Sequence, residues 1–209
     1  TREGWLDYTK ELEKYDRAWQ RAQTHRDDPM LLYFTSGTTG MPKMVVHNMA
    51  YPVAHIITAR YWHNVHEDDL HLTVSETGWM KAVWGKLYGQ WLACASIFVY
   101  DFDKFVPHDL LHMMEKYRVT TFYRFFIKEG MEGYDLSSLR YSTTAGEALN
   151  PEVYNRWYEF TGLRLMESYG QTETVMQVAN FVGTTPKPGS MGKPSPIYDI
   201  HLIDEDGND

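Results

Sequence analysis

A chain of 209 residues, 43% hydrophobic and 23% charged, has an ordinary globular composition and enough length for one sizeable core or one lobe of a larger domain. Its formal charge of -8 repels phosphate backbones and no basic run overrides this locally, so nucleic acid is excluded as a partner. A single cysteine rules out an intrachain disulfide, no apolar run reaches membrane-spanning length, and Thr1-Arg-Glu-Gly does not begin a signal peptide, so the expected location is the cytoplasm. Along the chain, the first thirty residues are charged and helix-prone, ending in the turn-like Asp27-Asp-Pro29. Leu31-Leu-Tyr-Phe34 suits a buried strand, followed by a Gly/Thr-rich loop, and Met44-Val-Val-His47 suits another. Residues 51–62 read as a helix, Leu70-His-Leu-Thr-Val-Ser75 alternates like a strand, and residues 81–92 have helical spacing of Val83, Trp84, Leu87, Tyr88 and Trp91. Cys94, within Trp91-Leu-Ala-Cys-Ala95, reads as a small buried hydrophobe rather than a nucleophile.

Ser96-Ile-Phe-Val-Tyr100 is a further predicted strand, and Pro107 opens a helix with Leu110, Leu111 and Met114 on one face and Arg118 near its end. Val119-Thr-Thr-Phe122, Leu139-Arg-Tyr-Ser-Thr143 and Leu163-Arg-Leu-Met166 are strand-like. Before the last of these, Asn150-Pro151 starts a helix that stops near Gly162, with Asn150 as N-cap. Strands alternating with helices imply crossover connections and an α/β fold with a mainly parallel sheet flanked by helices. The chain closes on Ile200-His-Leu-Ile203 and an Asp-Gly turn. A strand running into a hairpin turn with no return strand leaves an unpaired edge, so the polypeptide is expected to continue.

Three segments carry chemistry. In Tyr33-Phe-Thr-Ser-Gly-Thr-Thr-Gly-Met-Pro-Lys43, two glycines bare the backbone amides, three threonines and a serine offer hydroxyls, and Lys43 adds a positive charge. Together they suit a polyphosphate cradle. It is neither the Gly-Lys-Ser/Thr loop of GTPases nor a dinucleotide fingerprint. Next, Thr143-Thr-Ala-Gly-Glu-Ala-Leu149 follows a predicted strand; Gly146 permits close approach of a flat ligand and Glu147 can accept hydrogen bonds, although Gly-Glu-Ala commonly just leads into a helix. Last, Glu167-Ser-Tyr-Gly-Gln-Thr-Glu-Thr174 offers an aromatic at Tyr169, a bend at Gly170, a hydroxyl at Thr172 and, at Glu173, a hard oxygen ligand for Mg²⁺. A Thr-Glu pair capping a helix start is the alternative for the last two. The nine histidines show no metal-ligand spacing and read as surface or packing residues.

The strings from Thr35 to Lys43, around Gly146, and from Tyr169 to Glu173 stand in the order found in the adenylate-forming superfamily, which this chain resembles; the finer likeness is to acetyl- and medium-chain AMP-forming acyl-CoA synthetases of fatty acid metabolism. The resemblance implies that Thr35, Ser36, Gly37, Thr38, Thr39, Gly40 and Lys43 grip the β- and γ-phosphates of ATP. It places Gly146, Glu147 and Ala148 against adenine and ribose. Tyr169 flanks adenine, Gly170 and Gln171 complete the nucleotide site, Thr172 contacts the α-phosphate, and Glu173 holds magnesium. Lys43, Thr172 and Glu173 are the expected catalytic residues. Thr77-Gly-Trp79 resembles a turn whose Trp79 borders the acyl and pantetheine site, with a core aromatic as the equal alternative. Residues 141–151 and Pro188-Gly-Ser-Met-Gly-Lys-Pro194 add similarity, Gly189 and Gly192 serving only as turn formers.

The implied reaction is ATP-dependent activation of a carboxylic acid to an acyl-adenylate, then thioester formation with coenzyme A. Residues 1–209 would be part of an adenylation domain, with the N-terminal region and the mobile C-terminal domain bearing a catalytic lysine outside the chain. Two rivals are a carrier-protein thiol as acceptor and a nucleotide-binding module without turnover. One departure is visible: in Val119-Thr-Thr-Phe-Tyr-Arg-Phe-Phe126 the family's Pro-containing loop between strand and helix is missing. Reversing from strand to packed helix without linking residues is sterically awkward, so a break in the chain between Phe122 and Tyr123, with the numbering running straight across it, and a helix starting near Tyr123-Arg124 are expected.

Overall fold

The computed structural model describes residues 4–16, 18, 20–36, 40–123, 130–208, with Tyr123 described for its backbone alone. Among the described residues of the charged N-terminal stretch only α1, Tyr8–Leu12, is helical, capped by the Asp7 carboxylate accepting from the Lys10 amide. β1 (Pro29–Thr35) and β2 (Lys43–Asn48) form a two-stranded antiparallel hairpin apart from the main sheet, with Thr35 opposite Lys43. The first strand is therefore not the buried strand its apolar run suggests. Alternation wins: Leu31 and Tyr33 pack inward, whereas Leu32 and Phe34, opposite Val46 and Met44, are exposed.

α2 (Tyr51–Ile56) continues without a break into a π-helical stretch, Ile57–Trp62, so the predicted helix is present with its second half widened. β3 (Leu70–Thr73) leads to α3 (Met80–Lys86) and α4 (Tyr88–Leu92), which are one predicted helix broken at Leu87, whose φ of -122° and ψ of -97° leave the helical region. The break turns Trp91 outward, contrary to its place in the predicted apolar stripe. Cys94 is likewise exposed rather than buried: its φ of 60° ends α4 in a left-handed turn between buried Ala93 and Ala95. β4 (Ser96–Phe98), α5 (Pro107–Tyr117) and β5 (Thr121–Tyr123) follow. Arg118 caps α5 at φ 58°. β5 runs through Phe122 and Tyr123, in register with Ser142 and Thr143. Tyr123 belongs to the strand, not to a helix, and residues 124–129 lie outside the described residues.

β6 (Tyr141–Ala145), α6 (Pro151–Thr161) and β7 (Leu165–Gly170) match their sequence signals, including the Asn150 side chain accepting from Glu152 N at 2.8 Å and Gly162 closing α6 at φ 69°. β8 (Met176–Ala179) and the two-residue β9 (Lys193–Pro194) were not foreseen. The turn around Pro188–Pro194 does carry left-handed glycines at 189 and 192, as expected. Residues 200–203 form no strand; Leu202 and Ile203 are exposed, and Asp204 accepts from Asp206 N and Asn208 N in a local turn.

Among the described residues the main sheet has the order β4-β3-β5-β6-β7-β8-β9, parallel through β7 and antiparallel beyond. The chain moves outward from β3 to β4 and then returns to the other side of β3, a reversal that puts α3 and α4 on one face and α5 and α6 on the other. Adjacent residues of one strand feed the two cores. Leu165 packs with Leu72, Leu111, Phe122 and Trp157 under α5 and α6; Met166 packs with Trp62, Trp84 and Met176 under the earlier helices. At the amino ends, the residue before each of three parallel strands joins one buried network. Asp69 accepts from Arg140 Nε at 2.8 Å, from a second Arg140 nitrogen, from Thr120 Oγ1 at 2.5 Å and from His66 N at 2.7 Å.

Three buried histidines line the second face. His71 Nε2 and Nδ1 sit 2.9 and 2.7 Å from the hydroxyls of Thr73 and Thr121, and Thr73 donates to Gly85 O. That chain of bonds makes Nε2–H the donor to Thr73, and burial favours the neutral ring. His63 Nδ1 lies 2.8 Å from Thr143 Oγ1, with its ring 4.9 Å from His71. Burial lowers His55 and His71 to about 3 and holds His63 well below the usual imidazole range. Above pH about 6.5 folded and unfolded forms are both neutral there and stability is flat in this respect; as pH falls from 6.5 toward 3 only the unfolded chain takes up the protons. Each histidine then removes up to about 1.4 kcal/mol per pH unit. Urea midpoints between pH 6.5 and 5 should drop steeply, and His71→Asn should flatten the slope. A pH-independent midpoint over that window would show the imidazoles to be reachable by protons in the folded state.

Candidate active site

Two of the three motifs meet at the carboxyl ends of the parallel strands, where open α/β sheets place their ligands. Gly146 follows β6 directly and Gly170 ends the neighbouring β7, with Ala145 paired to Ser168. Gly146 is required by its backbone conformation and Gly170 by space. Gly146 has φ 101°, and a Cβ there would stand 2.6 Å from Lys81 Nζ; at Gly170 a Cβ would stand 2.0 Å from the Trp84 ring. An open cleft of about 200 Å³ results, lined by Trp79, Lys81, Trp84, Gly146, Gly170, Gln171 and Thr172. Trp79, at the start of α3, is 68% exposed, so the core-aromatic alternative fails and the ring borders the cleft.

Thr172 and Glu173 do not cap a helix. They are the central residues of the tip between antiparallel β7 and β8, closed by Thr174 N donating to Gln171 O and by Gln171 N donating to the Thr174 hydroxyl, both at 3.1 Å. Glu173 is exposed and lines a second hollow of about 510 Å³ with His47, Tyr51 and Tyr198. It has no ion pair among the described residues, and no group of three or more metal-binding side chains occurs among them. A lone carboxylate suits Mg²⁺, which takes one or two protein oxygens and completes its octahedron with phosphate and water. Tyr169, 39% exposed, is not part of the lining of this cleft; Glu147 and Ala148 are exposed beyond β6.

The hairpin of β1 and β2 meets this turn at its base. His47 of β2 lies 2.7 Å from the Thr172 carbonyl, and Tyr51 donates to Thr174 O at 3.4 Å while accepting from Trp84 Nε1 at 3.3 Å. Thr35 and Lys43 pair at the far end of the hairpin, about 13 Å along the strand from His47. Gly40 turns back there at φ 83° and Lys43 is exposed. Gly37, Thr38 and Thr39 lie outside the described residues. Four cleft and hinge residues escaped the sequence reading. Lys81 donates to Ala145 O at 2.9 Å, and its signal is a lone lysine in the apolar run Met80-Lys-Ala-Val-Trp84. Trp84 was read as a stripe residue only. His47 is a lone polar residue in Met44-Val-Val-His47, and Tyr51 gave no signal beyond helix position.

Comparison with known proteins fits this geometry. The family described as AMP-binding enzyme matches residues 2–209. Acyl-coenzyme A synthetase ACSM3, mitochondrial, of Mus musculus is 38% identical over 99% of this chain and 37% of its own length. Human acyl-coenzyme A synthetase ACSM5, mitochondrial, is 38% identical over 100% and 37%. The chain thus spans little more than a third of these relatives. Among solved structures, the anthranilate CoA ligase AuaEII in complex with anthranoyl-AMP superposes with a TM-score of 0.86 at 28% identity, covering 100% of this chain and 42% of that one. A Brucella canis acyl-CoA synthetase gives 0.86 at 25% identity, covering 100% and 40%. The cytoplasmic location expected from the sequence is overturned by these relatives, which are named as mitochondrial.

Proposed function

The chain belongs to the AMP-binding enzyme family, and from that premise we propose that it forms the ATP-binding lobe of a mitochondrial, AMP-forming acyl-CoA synthetase. What carries the reading is the convergence of Gly146, Gly170, Thr172 and Trp79 on one cleft, beside a hairpin that presents Thr35 and Lys43. Support comes also from a structural neighbour solved with an acyl-adenylate and from relatives named as coenzyme A synthetases, which favour coenzyme A over a carrier-protein thiol as acceptor.

In the proposed reaction a substrate carboxylate oxygen attacks the α-phosphorus of ATP and pyrophosphate leaves with the electron pair of the broken P–O bond. The thiolate of coenzyme A then attacks the acyl carbon and AMP departs. Nucleotidyl transfer needs placement and neutralisation of charge more than covalent help. Lys43 and the hydroxyls and amides of residues 35–40 would hold the β- and γ-phosphates, Thr172 would donate to an α-phosphate oxygen, and the bare backbone at Gly146 and Gly170 would admit the nucleotide. Glu173 would hold Mg²⁺, whose charge offsets that building on the phosphates. Trp79 would border the acyl group. Further segments of the same protein would complete the site.

In the full-length protein, Thr172→Val and Glu173→Gln are each expected to lower carboxylate-dependent pyrophosphate–ATP exchange by about 100-fold or more, the range seen when one transition-state donor is lost. Unchanged exchange in both variants would remove their assigned roles.

A further inference from the structure

We propose that His47 is a positioning residue that fixes the Thr172–Glu173 turn against the phosphate-loop hairpin, a role that rests on the adenylating function proposed above. A carbonyl oxygen only accepts, so the imidazole must donate from Nε2 to Thr172 O across the 2.7 Å separation. The ring is 9% exposed and stacked on Tyr51, with centroids 3.8 Å apart and planes 24° from parallel, which fixes its aim. Tyr51 reaches the carbonyl of Thr174 in turn. The two side chains therefore hold the backbone on either side of Glu173, whereas the bonds within the tip join only Gln171 and Thr174 to each other.

The consequence is mechanical. His47 stands four residues from Lys43 on one strand, so the cation for the outer phosphates and the turn for the α-phosphate and metal share a rigid support. Misplacement of a positioning group by about 1 Å can cost about 100-fold in rate. His47→Phe keeps the stacked ring and deletes the donor. His47→Gln places an amide N–H near the Nε2 position, and His47→Asn is one bond too short.

The test uses the full-length protein. With His47→Phe and His47→Asn, kcat for carboxylate-dependent pyrophosphate exchange should fall about 10- to 100-fold and half-saturating Mg²⁺ should rise, while KM for the carboxylate stays within about twofold. His47→Gln should recover most of both. In ligand-free protein, amide exchange across residues 171–175 should speed up about 10-fold in the Phe and Asn variants and not in the Gln variant. If His47→Phe fails to fold, the contrast between Gln and Asn decides. Equal Mg²⁺ dependence and equal amide exchange in all variants would overturn the role while leaving the adenylating function intact. A wild-type protein with no exchange activity would overturn both.

Discussion

Replacing Arg140 by alanine is expected to cost about 1–3 kcal/mol of folding stability, the penalty for leaving a buried acceptor short of donors. The asymmetry of exposure sets the size of the effect. The Asp69 side chain is 1% exposed and that of Arg140 is 40% exposed, so removal of the arginine leaves a carboxylate in the interior with only the Thr120 hydroxyl and the His66 amide as donors. Asp69→Asn should cost less, because the freed guanidinium can turn to water. Arg140→Lys should recover only part, since an ammonium cannot reproduce the two-pronged contact. Urea unfolding with m-values checked for two-state behaviour measures all three. A loss below about 1 kcal/mol for Arg140→Ala would mean that water or a protonated His66 takes over the carboxylate.

Gly170→Ala should damage stability and activity together. The added methyl would meet the far edge of the Trp84 ring at 2.0 Å and the Val175 carbonyl at 2.9 Å, so either the indole or the end of β7 must move. Overpacking of this kind costs about 1–3 kcal/mol. The displaced ring also lines the cleft and donates to Tyr51, so pyrophosphate exchange in the full-length protein should fall about 100-fold. Shrinking the ring in the same protein, as Gly170→Ala with Trp84→Leu, should regain part of the lost stability, and the two substitutions should couple by more than about 0.5 kcal/mol. Strict additivity would show that the close approach is not what excludes a side chain at this position.

The parallel half of the sheet was legible because its signals are local. Asn150-Pro151 and Gly162 bracket α6 by capping chemistry, and Pro107 with Leu110, Leu111 and Met114 spells an amphipathic α5. What escaped depends on contacts remote in the chain. Leu32 and Phe34 look buried to any reading of apolar runs, yet pairing with β2 turns that edge of the hairpin outward. The break at Leu87 and the outward Cys94 are backbone decisions that periodicity cannot register. β8 was hidden because Thr172-Glu173-Thr174 also reads as a helix cap, and only pairing to β7 separates the two. In the candidate site, the glycines and the Thr-Glu pair carry a pattern that can be recognised in the chain. Lys81 and His47 show only as single polar residues in apolar runs, since each acquires meaning from a carbonyl contributed by residues 64 and 125 positions away.

The Asp69 network also bears on how such a protein could diversify. Its ion pair and the Thr120 contact tie β3, β5 and β6 at the ends remote from the cleft at Gly146 and Gly170, so the loops around that cleft carry little responsibility for keeping the strands together. The residues around Trp79 could then drift or be redesigned while the sheet keeps its alignment.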